Sequence, residues 1–202
     1  MSLSRRAVLA ALGAAAMLPR GIAAPRPGLY DCEGCEAVAE RAAAGLPPLV
    51  QLAADDEPGE RMVLTGRATR ADGTPAADVV IYAHHTDAEG LYSRGSAETI
   101  WSRRHGLLRG WAKTDTDGAY GFDTIKPAPY PDGSLPAHVH LFIGEAGHPP
   151  YYIDDVVFAG EYGVDDAYRA RAENRGGDGI VNLTRENGVW RAVRDIVLEP
   201  HR

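Results

Sequence analysis

Met62-Val63-Leu64-Thr65-Gly66-Arg67-Ala68, Ala71-Asp72-Gly73-Thr74-Pro75 and Val79-Val80-Ile81-Tyr82-Ala83-His84 read in order as a strand, a tight turn and a second strand. The apolar stretches are short and rich in β-branched residues, and Asp-Gly followed by Pro punctuates them. The same rhythm continues outward. Thr114-Asp115-Thr116-Asp117-Gly118 is a turn leading into a strand over 119–122, and further strands are expected over 137–143, 156–158 and 192–198. The Asp115/Asp117 pair fits a β-turn, because a calcium loop needs a much longer run of oxygen ligands. From Arg61 onward no helical period of useful length interrupts the series. The expected fold class is therefore all-β, an antiparallel Greek-key β-sandwich with a short N-terminal helical arm.

Composition agrees with that class. A chain of 202 residues suits one principal domain with a real core. With 23 Gly, 14 Pro and 45% hydrophobic residues it is loop-rich, neither disordered nor a helical bundle. The net charge of −7 argues against a nucleic-acid backbone or an anionic membrane surface as partner, which leaves small molecules. Nine Tyr stand against three Phe and three Trp, and buried phenols need partners. Neither a Gly-rich phosphate loop nor a Gly-x-Ser-x-Gly elbow is present.

Residues 1–24 read as an export signal. Ser4-Arg5-Arg6 is a basic start, and Ala7 to Leu18 is an apolar run too short to span a bilayer permanently, with cleavage expected after Ala23 or Ala24. The adjacent arginines suit a twin-arginine signal, the alternative being an ordinary secretory one. The expectation is an exported protein, periplasmic or extracellular, with no stable membrane span. Cys32 and Cys35, the only cysteines, then read first as a local structural disulfide and second as free or metal-binding thiols. Residues 36–44 suit a short helix ended by Gly45 and Pro47-Pro48. Residues 25–58 form an arm, through which a homodimer stays open, and 59–202 the body.

The sharpest chemical feature is Pro136-Ala137-His138-Val139-His140-Leu141-Phe142-Ile143. Alternate side chains of a strand share a face, so His138 and His140 point one way, about 7 Å apart along the backbone, and Val139, Leu141 and Ile143 the other. Such a pair can converge on one metal ion if other ligands join it. Oxygen donors lie upstream in Asp87-Ala88-Glu89-Gly90-Leu91-Tyr92 and in Thr124-Ile125-Lys126-Pro127-Ala128-Pro129-Tyr130-Pro131.

Those stretches, with Arg109-Gly110 and Thr114-Asp115-x-Asp117-Gly118-x-Tyr120-x-Phe122 between them, resemble the intradiol ring-cleavage dioxygenases in order over about residues 60 to 160. The resemblance implies a non-haem Fe(III) enzyme that uses O2 to cleave a catechol-type ring between its two hydroxylated carbons. It implies Tyr92, Tyr130, His138 and His140 as iron ligands, with Tyr130 the catalytic one that leaves and takes a substrate proton. The donor chemistry suits this, since a hard, highly charged ion favours phenolate oxygen and depresses the phenol pKa.

Two positions depart from the resemblance. Members carry Arg three residues before the first ligand His, and here Leu135 stands there, while Asp155 takes the place of a family Gln. A neutral side chain cannot stabilise charge on bound substrate, so Arg94 and Arg109 become candidate substrate contacts beside Leu135. Of the adjacent His84 and His85 at most one faces the site, and His85, with Asp155, is a candidate supporting residue behind the ligands. His105, His148 and His201 read as surface residues. The alternative function is a non-catalytic β-sandwich module that binds ferric iron or catecholates; a zinc hydrolase ranks below it, because no carboxylate or Cys has matching spacing.

Overall fold

The computed structural model describes residues 24–95 and 99–201, so the expected export signal lies, but for Ala24, outside the described residues. The arm carries a 3-10 turn over Cys35–Glu40 and strand β1 (Leu49–Gln51). The body follows as β2 (Arg61–Thr69), β3 (Val80–His85), α1 (Ile100–His105), β4 (Arg109–Lys113), β5 (Ala119–Ile125), β6 (His138–Gly144) and β7 (Tyr151–Phe158). It ends with α2 (Asp166–Arg171), β8 (Ile180–Val181), β9 (Thr184–Glu186), β10 (Val189–Val193) and β11 (Ile196–Val197). Two sheets result, β1-β5-β2-β10-β9, with β11 also on β2, and β4-β3-β6-β7-β8.

The all-β expectation holds, but the sheets are mixed rather than antiparallel. β1 runs parallel to β5, β10 and β11 parallel to β2, and β8 parallel to β7. These neighbours are joined by long excursions, which permit parallel pairing where a tight turn cannot. Two helices also appear where none was expected. Each is too short to print a period and is set by its cap: Thr99 and Ser102 exchange side-chain and backbone bonds at α1, and Asp165 accepts from the Tyr168 amide at α2.

Strand alternation sorts the second sheet. Ile81 and Ala83 of β3 and Val139, Leu141 and Ile143 of β6 face inward and join Met62, Leu64 and Phe122 of the first sheet in the main core. Val80, Tyr82 and Phe142 face outward, where the arm covers them with Cys35, Ala37 and Val38 around Trp111. The Trp111 indole donates to the Ala37 carbonyl at 2.9 Å. His84, His138 and His140 belong to this same outer face, farther along it. The sandwich interior thus holds only the backs of the strands that carry the chemistry.

The final strand, expected unbroken over 192–198, breaks at Arg194-Asp195 without changing register against β2. Arg194 is buried, and its guanidinium donates to the carbonyls of Arg175, Gly176, Gly177 and Asp195. Its own carbonyl accepts from the Tyr120 hydroxyl at 2.6 Å and sits where a Cβ on Gly66 would be. Among the described residues no helix is long and apolar enough to cross a membrane.

Two buried histidines brace the second sheet. His85 bonds the Thr86 carbonyl and the Thr124 hydroxyl, each at 2.7 Å, and His105 bonds the Tyr82 hydroxyl at 2.8 Å. Burial above all lowers both imidazoles to about 4.

Two outcomes follow for stability. Gly66→Ala forces the Arg194 backbone away and lowers unfolding free energy by about 1–3 kcal/mol in urea titration; an unchanged midpoint would refute the close approach. The histidines set the sign of the acid response. Unfolded imidazoles bind protons near pH 6.5 while the native ones refuse them, so stability is full above about 6.5 and falls toward pH 4. Between pH 6.5 and 4.5 His85 costs roughly 2 kcal/mol and the less deeply buried His105 less, and His85→Gln flattens that slope in metal-free protein.

Candidate metal centre

Two loops bring the tyrosines together. Asp87 folds its own loop by accepting the amides of Glu89 and Leu91 and the Ser93 hydroxyl. Gly90, at φ 79°, lies against the Pro129 carbonyl, which a Cβ would strike. The Thr86 hydroxyl and the Ala128 amide complete the seam by bonding the Ala128 and Asp87 carbonyls respectively. Tyr92 and Tyr130 therefore meet, hydroxyl to hydroxyl, at 2.9 Å.

His138 and His140 meet them from β6. The Tyr92 hydroxyl lies 3.1 Å from His140 Nε2, and the two Nε2 atoms are 3.0 Å apart. Four donor atoms thus follow one another at 2.9, 3.1 and 3.0 Å: Tyr130 Oη, Tyr92 Oη, His140 Nε2 and His138 Nε2. The opposite nitrogens fix the tautomers. His138 Nδ1 donates to the Pro136 carbonyl at 2.7 Å and His140 Nδ1 to the Asp155 carboxylate at 2.8 Å. Burial keeps the His138 pKa below its ordinary value. With each proton on Nδ1, two nitrogen lone pairs face one another across 3.0 Å, an arrangement that a cation between them relieves.

Asp155 reaches His140 through an irregularity. β6 and β7 pair Val139 with Val156 but Leu141 with Ile153, so both Asp154 and Asp155 stand opposite His140. The extra residue is a β-bulge that turns the Asp155 carboxylate out toward the imidazole. Burial works to raise that carboxyl, and the His140 imidazole more than offsets it, leaving the pKa below the usual range. Atoms of His138, His140 and Asp155 lie within 4.8 Å of one another, but the carboxylate sits at Nδ1, away from the facing Nε2 atoms. Burial raises the Tyr92 phenol and the Tyr130 hydroxyl adds to it, so Tyr92 ionises only with a strong cation at hand.

Tyr92, Tyr130, His140 and Asp155 close one end of a cavity of about 620 Å³. His84, Trp101 and His105 form one wall and Tyr168 and Arg171 of α2 line another. His84 stacks on His105 at 3.9 Å, lies 4.4 Å from His140 and 5.7 Å from Tyr92, and is kept neutral by burial.

Several expected contacts lie elsewhere. Arg109 does not line the cavity; its guanidinium bonds Glu40 at 2.6 Å and the Tyr82 hydroxyl at 3.4 Å, because β4 turns it toward the arm. Arg94 is exposed on its loop and Leu135 is 41% exposed beside its turn, and neither lines the cavity. His85 faces Thr124 on the opposite side of β3, so His84 is the histidine beside the ligand cluster. His105 is buried, not a surface residue, and His201 is half-buried between Tyr30 and Glu145, each at 2.8 Å. His148 is exposed and stacks on His201. Cys32 and Cys35 are joined in a disulfide. Of the adjacent pair, sequence reading chose His85 where the structure has His84, which pairs with His140 across β3 and β6, and it missed His105 and Trp101.

A family model described as Dioxygenase matches residues 36–188. Chlorocatechol 1,2-dioxygenase of Rhodococcus opacus is 34% identical over 123 residues, which cover 52% of this chain and 46% of that protein. The chain spans about half or less of the length of the first curated relatives it matches. Catechol 1,2-dioxygenase from Pseudomonas arvilla C-1 superposes with a TM-score of 0.58 at 26% identity, over 80% of this chain and 60% of that one. The dioxygenase domain of a dioxygenase carbohydrate-binding protein fusion from Streptomyces sp. SirexAA-E shares the fold, with a TM-score of 0.60 at 22% identity over 78% and 92% of the two chains. The match of a family model over most of the length, joined to these relatives, establishes that the chain belongs to the intradiol ring-cleavage dioxygenase family.

Proposed function

We propose that the protein is a non-haem Fe(III) dioxygenase that opens a catechol-type ring between its two hydroxylated carbons with O2. One observation carries the reading: two imidazole lone pairs and two phenol oxygens converge within 3.1 Å steps, with both imidazole protons committed elsewhere. Tyr92, Tyr130, His138 and His140 would hold the ion. Ferric iron bound there supplies Lewis acidity that drives the phenol and catechol oxygens toward their anions and couples the electron-rich ring to O2.

The remaining work belongs to side chains. Tyr130, half-buried on its loop, would help hold the ion and would take a proton from a catechol hydroxyl onto Oη. Tyr92, held between Tyr130 and His140, would stay in place as a phenolate once its proton is displaced by the ion. Asp155 fixes the His140 ring and keeps its Nε2 free, and the Pro136 carbonyl does the same for His138. His84 stands as a neutral, planar wall beside the oxygen donors. The export-type segment and the disulfide support a location outside the cytoplasm.

Colour and oxygen uptake test the assignment. Iron-loaded protein is expected to show the visible absorption of tyrosinate-bound Fe(III) and to consume O2 with catechol; a colourless protein saturated with zinc would overturn the iron assignment. Tyr130→Phe is expected to shift the absorption and cut oxygen uptake at least about 100-fold. Persistent catechol binding without oxygen uptake in the unaltered protein would favour the binding module instead, which the neutral Leu135 allows.

Asp155→Asn tests the support behind His140. Removing the carboxylate from the ligating imidazole is expected to weaken iron retention about 10–100-fold in chelator competition. Retention equal to that of the unaltered protein would reduce Asp155 to a strand residue.

A further inference from the structure

The cavity is larger than its metal end requires. A single ring with two hydroxyls fills a minor part of about 620 Å³, a volume in the range of pockets that enclose drug-sized ligands. Part of the lining lies beyond His84, where Trp101, Arg104 and His105 of α1 and Glu33 of the arm form a wall of their own.

Trp101 and His105 stand four residues apart on α1 and so share a face. Their rings lie 5.2 Å apart, and His105 stacks nearly parallel on His84, continuing the aromatic surface away from His140. The arm seals the back of this surface. Gly34, buried at φ 91° inside the Cys32–Cys35 disulfide loop, is so close that a Cβ there would stand 3.0 Å from His105 Nε2 and 3.7 Å from Trp101. Its neighbour Glu33 pairs with Arg104 at the rim, and the Arg104 guanidinium lies over Trp101 at 5.5 Å. The rim cation is thereby neutralised. The wall offers rings and no uncompensated charge.

We propose that the disulfide-closed arm loop and α1 form a second-ring subsite, which holds an uncharged planar aromatic substituent of a catechol whose diol is at the metal end. This rests on the catechol reading above. Trp101 and His105 are its specificity determinants, Gly34 backs them, and the disulfide matters because it fixes the loop that carries Gly34. Aromatic rings favour offset or tilted stacking against such a surface, and burial of an aryl group adds its apolar area.

Calorimetric titration of the iron-loaded protein without O2, using catechol and 4-phenylcatechol, tests this with no turnover. The expected result is at least tenfold tighter binding of 4-phenylcatechol, about 1.4 kcal/mol. Trp101→Ala is expected to bring the affinity ratio near one, Trp101→Phe to preserve it, and the paired Cys32→Ser and Cys35→Ser substitutions to lower it. Equal affinities in the unaltered protein, or a ratio unmoved by both Trp101→Ala and the cysteine pair, overturn the subsite while leaving the catechol reading intact. Failure to bind either compound overturns the catechol reading and the subsite together.

Discussion

The two Nε2 atoms of His138 and His140 face one another at 3.0 Å with their protons bound on the far side of each ring, and the architecture around them serves to keep them so. Strand alternation puts both rings on one face. The Pro136 carbonyl can only accept, so it fixes one tautomer; a carboxylate turned out by a β-bulge fixes the other. Neither acceptor lies in the sandwich core. The core contributes the backs of the strands, through Val139, Leu141 and Ile143, and so holds the pair in register without touching its chemistry.

That division explains the use of the arm and the two short helices. An outward-facing row of Tyr82, His84, His140 and Phe142 on a sheet surface would meet solvent if nothing covered it. The arm covers one end with Cys35, Ala37 and Val38, while α1 and α2 wall the cavity over the other. The coverings are held by polar bonds as well as contact: Trp111 to the Ala37 carbonyl, Arg109 to Glu40, Arg26 to Glu199. The arm is thus part of the folded body, and it gives the first sheet its edge strand β1.

Much of this was legible in the sequence, because turn chemistry and strand period are local. The Asp72-Gly73 turn, the Asp115 turn, in which one carboxylate accepts the amides of Asp117 and Ala119, and the shared face of His138 and His140 all follow from neighbouring residues. Asp87 and Gly90 read as a motif before their reason was visible, which is the approach of the Pro129 carbonyl. What was not legible depends on residues far apart in the chain. The parallel pairings, the Arg194 break opposite Gly66, the bulge at Asp154-Asp155 and the His84–His105 stack each need two or three segments to be placed at once. Arg94, Arg109 and Leu135 misled because nearness to a motif in sequence says nothing of which way a loop turns its side chain.

The histidines settle where positive charge resides at the metal end. His84, His85, His105 and His138 all have lowered pKa values, burial being the first cause in each, and mutual repulsion among the imidazoles reinforces it. At neutral pH they contribute planes and lone pairs but no charge. The guanidinium groups that line the cavity, Arg104 and Arg171, come from the two helices and not from the strands that carry the ligands, and Arg104 is paired with Glu33. On the proposed function, an anionic diolate beside His140 would meet neutral imidazoles, so its countercharge would come from the ion that Tyr92, Tyr130, His138 and His140 would hold and from Arg171 on the α2 wall. On that reading, the same neutrality that leaves the imidazole lone pairs free would make affinity for such a substrate follow chiefly the charge of the bound ion.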